Sequence, residues 1–170
     1  SDLTGVATVT IPAGSSSANF SVATLQDVLA EGAESFTVTI GSAAGGNFEN
    51  LVISGTNAAA TTSITDDDTP ALSVSSPTVG EGGFAVFTVS LSNASTTAVT
   101  FNPTLVSGSA TVGTDTSTAL EYFNGTAWVA VPVSGVVIAA GSTSVQVRVA
   151  TTDDVAAEGN ETFALTATVT

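Results

Sequence analysis

The chain has 170 residues, 43 % of them hydrophobic, with a mean hydropathy of +0.45 and a net charge of −14. One cation, Arg148, stands against fifteen acids, with no histidine and no cysteine. A phosphate backbone or an anionic lipid surface would repel such a chain, so nucleic-acid and membrane-surface partners are excluded. No apolar run reaches the roughly 20 residues of a membrane helix, and disulfides, thiolate zinc sites and cysteine or histidine catalysis lack their residues.

In chain order, Val6-Ala7-Thr8-Val9-Thr10-Ile11 alternates apolar with polar residues, the period of a half-buried strand. Pro12-Ala13-Gly14 then marks a turn. Phe36-Thr37-Val38-Thr39-Ile40 predicts a second strand, and Gly41 to Asn47 a loop. Thr61-Thr62-Ser63-Ile64-Thr65 predicts an uncharged strand that runs into Asp66-Asp67-Asp68. Three adjacent anions with no cation in sequence reach need water or a metal to take their charge. Thr69-Pro70 follows, then a new apolar segment, Ala71-Leu72-Ser73-Val74.

Gly80-Glu81-Gly82-Gly83 predicts a turn before the alternating strand Phe84 to Leu91. Asn124-Gly125, between Leu120-Glu121-Tyr122-Phe123 and Trp128-Val129-Ala130-Val131, predicts a hairpin closed by a type I′ turn. Ala140-Gly141-Ser142 turns the chain into the strand Val145-Gln146-Val147-Arg148-Val149, and Phe163 to Val169 is the last predicted strand. Many short strands with turn residues every 8–12 positions, and no helical period, fit an antiparallel β-sandwich.

The sequence also repeats itself. The segment from Pro12 to Phe36 lies over that from Ala139 to Phe163 at a constant offset of 127 residues, as Gly14 to Gly141 and Glu34 to Glu161 show. Such a repeat predicts tandem modules. The frame divides the chain into residues 1–68, the C-terminal part of a first module, and residues 69–170, a second module lacking its final strand.

Twelve of the fifteen acids fall at four loop-type positions. Asp27, Glu31 and Glu34 occupy one loop, with Gln26 where the repeat would place an acid. Asp153, Asp154, Glu158 and Glu161 are their counterparts in the second module. Asp66, Asp67 and Asp68 close the first module, while Glu81 and Asp115 stand in turns of the second. Two carboxylates ~5 Å apart repel by roughly 1 kcal/mol in water and ~3 kcal/mol near a protein surface. Five or six converging would cost on the order of 10 kcal/mol, comparable to the stability of a domain. Calcium offsets this, because it takes six to eight hard oxygen ligands in flexible geometry. Magnesium holds to stricter octahedra, and zinc prefers nitrogen and sulfur. Calcium is therefore the expected ion.

Ile64-Thr65-Asp66-Asp67-Asp68-Thr69-Pro70, Val79-Gly80-Glu81-Gly82, Gly108 to Asp115, Ile138 to Ser142 and Asp153-Asp154 through Glu158-Gly159-Asn160-Glu161-Thr162-Phe163, in this order and spacing, resemble the Calx-beta family. The resemblance implies tandem antiparallel immunoglobulin-like sandwiches whose end loops bind several calcium ions beside module junctions. It makes Glu81, Asp115, Asp153, Asp154, Glu158 and Glu161 the ligands of the second module. Asp27, Glu31, Glu34 and Asp66 to Asp68 become those of the first, with the triplet also facing Glu81. The segment from Leu120 to Val131 is similar to Calx-like repeats of very large bacterial surface adhesins.

The expected function is a calcium-binding, non-enzymatic extender module of a secreted or cell-surface bacterial protein, whose partners are neighbouring modules of the same array. The alternative is a calcium-dependent filament or surface-layer subunit, in which identical subunits complete one another by donor-strand pairing. Trp128 and Tyr122 are expected to pack on the hairpin rather than to form a sugar platform.

Overall fold

The computed structural model describes residues 3–5 and 8–170. Ten strands account for the regular structure of these residues, every strand pair is antiparallel, and no helix occurs among them. The chain divides into two compact units. The first comprises residues 1–28 and 32–66, the second residues 29–31 and 67–170.

The first unit contains β1 (Glu34–Thr39) and β2 (Ala59–Ile64), paired from Glu34↔Ile64 to Thr39↔Ala59. Thr37 and Thr61 share a cross-strand hydroxyl hydrogen bond of 2.7 Å. Val6 and Ala7 of the first predicted strand lie outside the described residues. Thr8 to Ile11, the remainder, is not a strand, and Val9 and Ile11 are exposed. Alternation alone does not make a strand where no facing layer buries the apolar positions.

The second unit is a sandwich of two sheets. One carries β3 (Leu72–Val74), β4 (Phe84–Leu91), β9 (Ser144–Ala150), β6 (Glu121–Phe123) and β7 (Trp128–Ala130), in that spatial order. The other is β10 (Phe163–Val169), β5 (Val99–Ser107) and β8 (Val136–Ile138). Ala85, Phe87, Val89 and Leu91 alternate inward from β4, as do Val147 and Val149 from β9. They meet Phe101, Val136, Ile138 and Leu165 of the opposite sheet, and these ten residues form the buried core. Each fully buried aliphatic or aromatic side chain stabilises the fold by about 1.5–3 kcal/mol, so the unit carries its own core.

β5 and β8 are absent from the strands read off the sequence. Pro103 interrupts β5, and proline is ordinarily confined to edge strands. Here β8 pairs only with Val99 to Phe101, so at Pro103 one flank of β5 has no ladder to lose. Gly135 enters β8 with φ +89°, and a Cβ there would lie 2.8 Å from the Phe101 carbonyl oxygen. Only glycine fits that approach.

The hairpin over β6 and β7 forms, but not through a type I′ turn. That turn needs positive φ at both central residues, and no non-glycine residue described has one; Gly125 does, at +94°. Instead the Asn124 side-chain oxygen accepts from the Thr126 and Ala127 N–H groups at 3.0 and 2.9 Å. The Asn124 N–H in turn donates to the Ala127 carbonyl. The side chain does the work of the second left-handed residue.

Candidate metal centre

Three loops of the second unit meet at one end of the sandwich: 75–83 between β3 and β4, 108–120 between β5 and β6, and 151–162 between β9 and β10. Threonines and a serine fix them together. The Thr151 hydroxyl accepts from the Gly83 N–H at 3.0 Å and lies 3.0 Å from the Gly80 carbonyl oxygen, to which it donates. That holds the turn carrying Glu81 against the end of β9. The Thr152 hydroxyl donates to the Thr114 carbonyl at 2.6 Å and its N–H to the Asp115 carbonyl at 2.9 Å. Thr162 donates its N–H to the Ser109 hydroxyl at 2.9 Å, and its carbonyl accepts from Ala110. Asp115 is aimed by its own loop, since its carboxylate accepts from the Thr111 N–H at 2.6 Å.

These anchors converge the acids. Asp115, Glu158 and Glu161 each bring one carboxylate oxygen within 4.8 Å of the others. Calcium–oxygen distances are about 2.3–2.6 Å, so oxygens on opposite sides of one ion stand roughly 4.6–5.2 Å apart; the set fits a single calcium. It offers only hard oxygen donors, which suits calcium better than zinc. Glu158 is exposed, yet its carboxyl is held above its ordinary value. The causes are the charge of Glu161 first, then Asp154, desolvation, Asp115 and Glu81. Glu81 and Asp154 therefore belong to the same electrostatic neighbourhood. Asp154 also caps its own loop, accepting from the Ala156 N–H at 2.7 Å. Asp153 packs over the turn: a Cβ on Gly82, whose φ is +69°, would lie 3.1 Å from the Asp153 Cβ.

Arg148 is not part of this end. It projects from the outer face of the five-stranded sheet, its guanidinium paired with Glu121 at 2.7 Å and lying 4.0 and 4.3 Å from the Phe84 and Trp128 ring centres. Trp128 therefore packs on the hairpin, against Phe123 as well as Arg148. Tyr122 turns the other way and packs against the core.

The other acids lie elsewhere. Asp66, Asp67 and Asp68 form a second group with oxygens within 4.8 Å of one another. Asp67 and Asp68 precede β3, where Ala71 and Ser92 are hydrogen-bonded both ways at 2.9 Å. Residues 29–31 stand at that same end, since Ala30 donates to the Ala94 carbonyl and accepts from Thr96. Glu81 follows β3 and so lies at the opposite end of the second unit, beside Asp115. Within the second unit Asp67 and Asp68 stand before β3 and Glu81 after it. Asp27 is exposed in the first unit, and Glu34 opens β1.

Sequence reasoning did not find the anchoring residues Thr151, Thr152, Thr162 and Ser109. Part of the signal was available, because Thr24 and Ser35 stand 127 residues before Thr151 and Thr162.

A family model described as Calx-beta domain matches residues 65–169. One described as LapA domain matches residues 2–67. No curated protein matches the chain.

Proposed function

The chain belongs to the Calx-beta family, and on that footing we propose that it is a calcium-binding extender module of a large secreted or cell-surface bacterial protein, without enzymatic activity. The two family matches fit a surface, adhesin-like module. No helix among the described residues is long and apolar enough to cross a membrane. One observation carries the calcium reading. Asp115, Glu158 and Glu161 converge to within 4.8 Å while the chain's one cation is committed to Glu121 on the outer sheet face.

Calcium would bind Asp115, Glu158 and Glu161, with Glu81 and Asp154 adding charge and Asp153 holding the neighbouring turn. It would neutralise the repulsion that raises the Glu158 carboxyl and fix three loops that otherwise hang on threonine hydrogen bonds. A second ion at Asp66, Asp67 and Asp68 would stiffen the stretch leading into β3. The function is mechanical: an ordered rod in calcium and a looser one without it. Neighbouring modules of the same array are its partners.

Thermal melting in calcium and in excess EGTA tests this. Calcium at a hundred times its Kd should stabilise by about 2.7 kcal/mol, and a variant carrying Asp115→Asn, Glu158→Gln and Glu161→Gln should lose most of that increment. Identical melting curves in calcium and EGTA would overturn the reading.

A further inference from the structure

The turn that joins β6 to β7 holds chemistry that the hairpin itself does not require. Of the chain's eight asparagines, Asn124 is the only one followed by a glycine. Asn124, Gly125, Thr126 and Ala127 are all exposed, so water and hydroxide reach the turn. An asparagine side chain is an amide, and the main-chain nitrogen of the next residue stands within reach of its carbonyl carbon. Three things ordinarily hold back an attack: a crowding side chain, an engaged N–H and a weakly electrophilic carbonyl. Here all three are relieved. Gly125 has no Cβ and sits at φ +94°, a conformation that favours glycine. No hydrogen bond among the described residues uses the Gly125 N–H. The Asn124 Oδ1 accepts from the Thr126 and Ala127 N–H groups at 3.0 and 2.9 Å. Two backbone donors at about 2.7–3.1 Å from one oxygen stabilise the negative charge that it acquires when its carbon is attacked.

We propose that the folded hairpin promotes its own deamidation at Asn124. The Gly125 nitrogen gives its proton to hydroxide and bonds to the Asn124 Cγ, while Oδ1 takes the negative charge between the two N–H groups. Collapse of this centre breaks the Cγ–Nδ2 bond, and Nδ2 takes a proton from water and leaves as ammonia. A five-membered imide then joins residues 124 and 125. Water opens it in one of two ways. Opening at Cγ leaves an aspartyl residue; opening at the main-chain carbonyl leaves an isoaspartyl one, in which the chain runs through the side-chain carbon. Water is the sole co-reactant, and nothing is oxidised or reduced.

The two products differ in what they do to the hairpin. The aspartyl form keeps an acceptor oxygen for the Thr126 and Ala127 N–H groups. The isoaspartyl form adds a carbon to the main chain inside a turn whose flanks are in register at Phe123↔Trp128, and it moves the acceptor that closes the turn. β6 is joined to β9 through two residue pairs, Glu121↔Arg148 and Tyr122↔Val147, so the change falls where the large sheet has little ladder to resist it. The outcome is a one-way loosening of the hairpin with age. It requires neither calcium nor a neighbouring module, and so stands apart from the proposed function.

The test incubates the whole folded chain at mildly alkaline pH beside a synthetic peptide of residues 119–132 and beside the chain unfolded in urea. Ammonia release and isoaspartyl content are followed, and the modified residue is mapped by mass spectrometry. The folded chain should convert at residue 124 before any other asparagine, and about tenfold faster than the peptide or the unfolded chain, a barrier lower by ~1.4 kcal/mol. Gly125→Ala, which puts a Cβ where φ is positive, should slow the folded chain by a similar factor. Trp128 emission should shift to the red in step with isoaspartyl content, in EGTA as in calcium, and Asn124→Asp should not show that shift at the outset. An Asn124 that stays intact in the folded chain while the peptide converts overturns the proposal, because the turn then protects the amide. Equal rates in all three samples overturn it as well, since the lability then belongs to the dipeptide and not to the fold. This comparison uses the wild-type sequence throughout, so it decides even where Gly125→Ala disturbs the hairpin.

Discussion

Glu158 shows how a fully exposed side chain can still be perturbed. Water normally screens an exposed carboxylate, but Glu161, Asp154, Asp115 and Glu81 all repel its charged form, so its proton leaves only above the ordinary value of 4.5. The sign of the linkage follows. Between 4.5 and the raised value the folded protein keeps a proton that the unfolded chain has released, so metal-free stability is greatest on the acid side and falls as pH rises through that window. Glu158→Gln removes the titration. In metal-depleted buffer the variant's melting temperature should gain on wild type as pH climbs above 4.5; a constant difference between the two would contradict the assignment. Under the proposed calcium function the order should reverse in saturating calcium, because the variant lacks one of the proposed ligands.

At the scale of elements, β6 and β7 are held to the rest of the large sheet by Tyr122 on the core side and by Arg148 on the outer face. β6 shares only two residue pairs with β9, Glu121↔Arg148 and Tyr122↔Val147. The Arg148 guanidinium adds its pair with Glu121 and its place against Phe84 and Trp128. Cation–π contacts contribute about 0.5–2 kcal/mol and exposed ion pairs about 0–1 kcal/mol. With Glu121 36 % exposed, Arg148→Met should lower unfolding stability by about 1–2 kcal/mol. Trp128 is the chain's one tryptophan, so its emission should shift to the red as the hairpin loosens. An unchanged denaturation midpoint together with unchanged emission would show that the hairpin does not depend on this contact. The hairpin's existence was readable from Asn124-Gly125, whereas its turn type was not. Whether an asparagine supplies φ or a side-chain acceptor depends on the strand ends it joins.

Across the whole molecule the two units differ in how their apolar residues are buried. Every member of the buried core cluster lies between Ala85 and Leu165, in the second unit. In the first unit Phe36 and Val38 are half-buried, and Val9, Ile11, Phe20 and Leu25 are exposed. Amide protection tracks buried contacts and paired backbone. Exchange across residues 8–25 should therefore outpace that of β4, β5 and β9 by several orders of magnitude. Equal protection of these segments would mean that the first unit is stabilised by contacts its sequence does not announce.

The sequence by itself determined that the chain is all-β, because period-two alternation and turn residues are local properties. Phe84–Leu91 and Phe163–Val169 could be read to their last residue on that basis. It also determined that most of the acids sit in loops, although Glu34 opens β1 and Glu121 opens β6, and the 127-residue repeat tied Glu34 to Glu161. Tertiary structure decided which acids meet. Asp68 and Glu81 are near neighbours in sequence but stand at opposite ends of a unit, because β3 runs between them. Asp115 and Glu158 are far apart in sequence yet share one cluster, because β5 and β9 end on the same side. Pairing also decided that Val99–Ser107 is a strand despite Pro103, and that Thr8 to Ile11 is not one despite its pattern. Alternation records which face of a residue is apolar, and only the partner layer determines whether that face is covered.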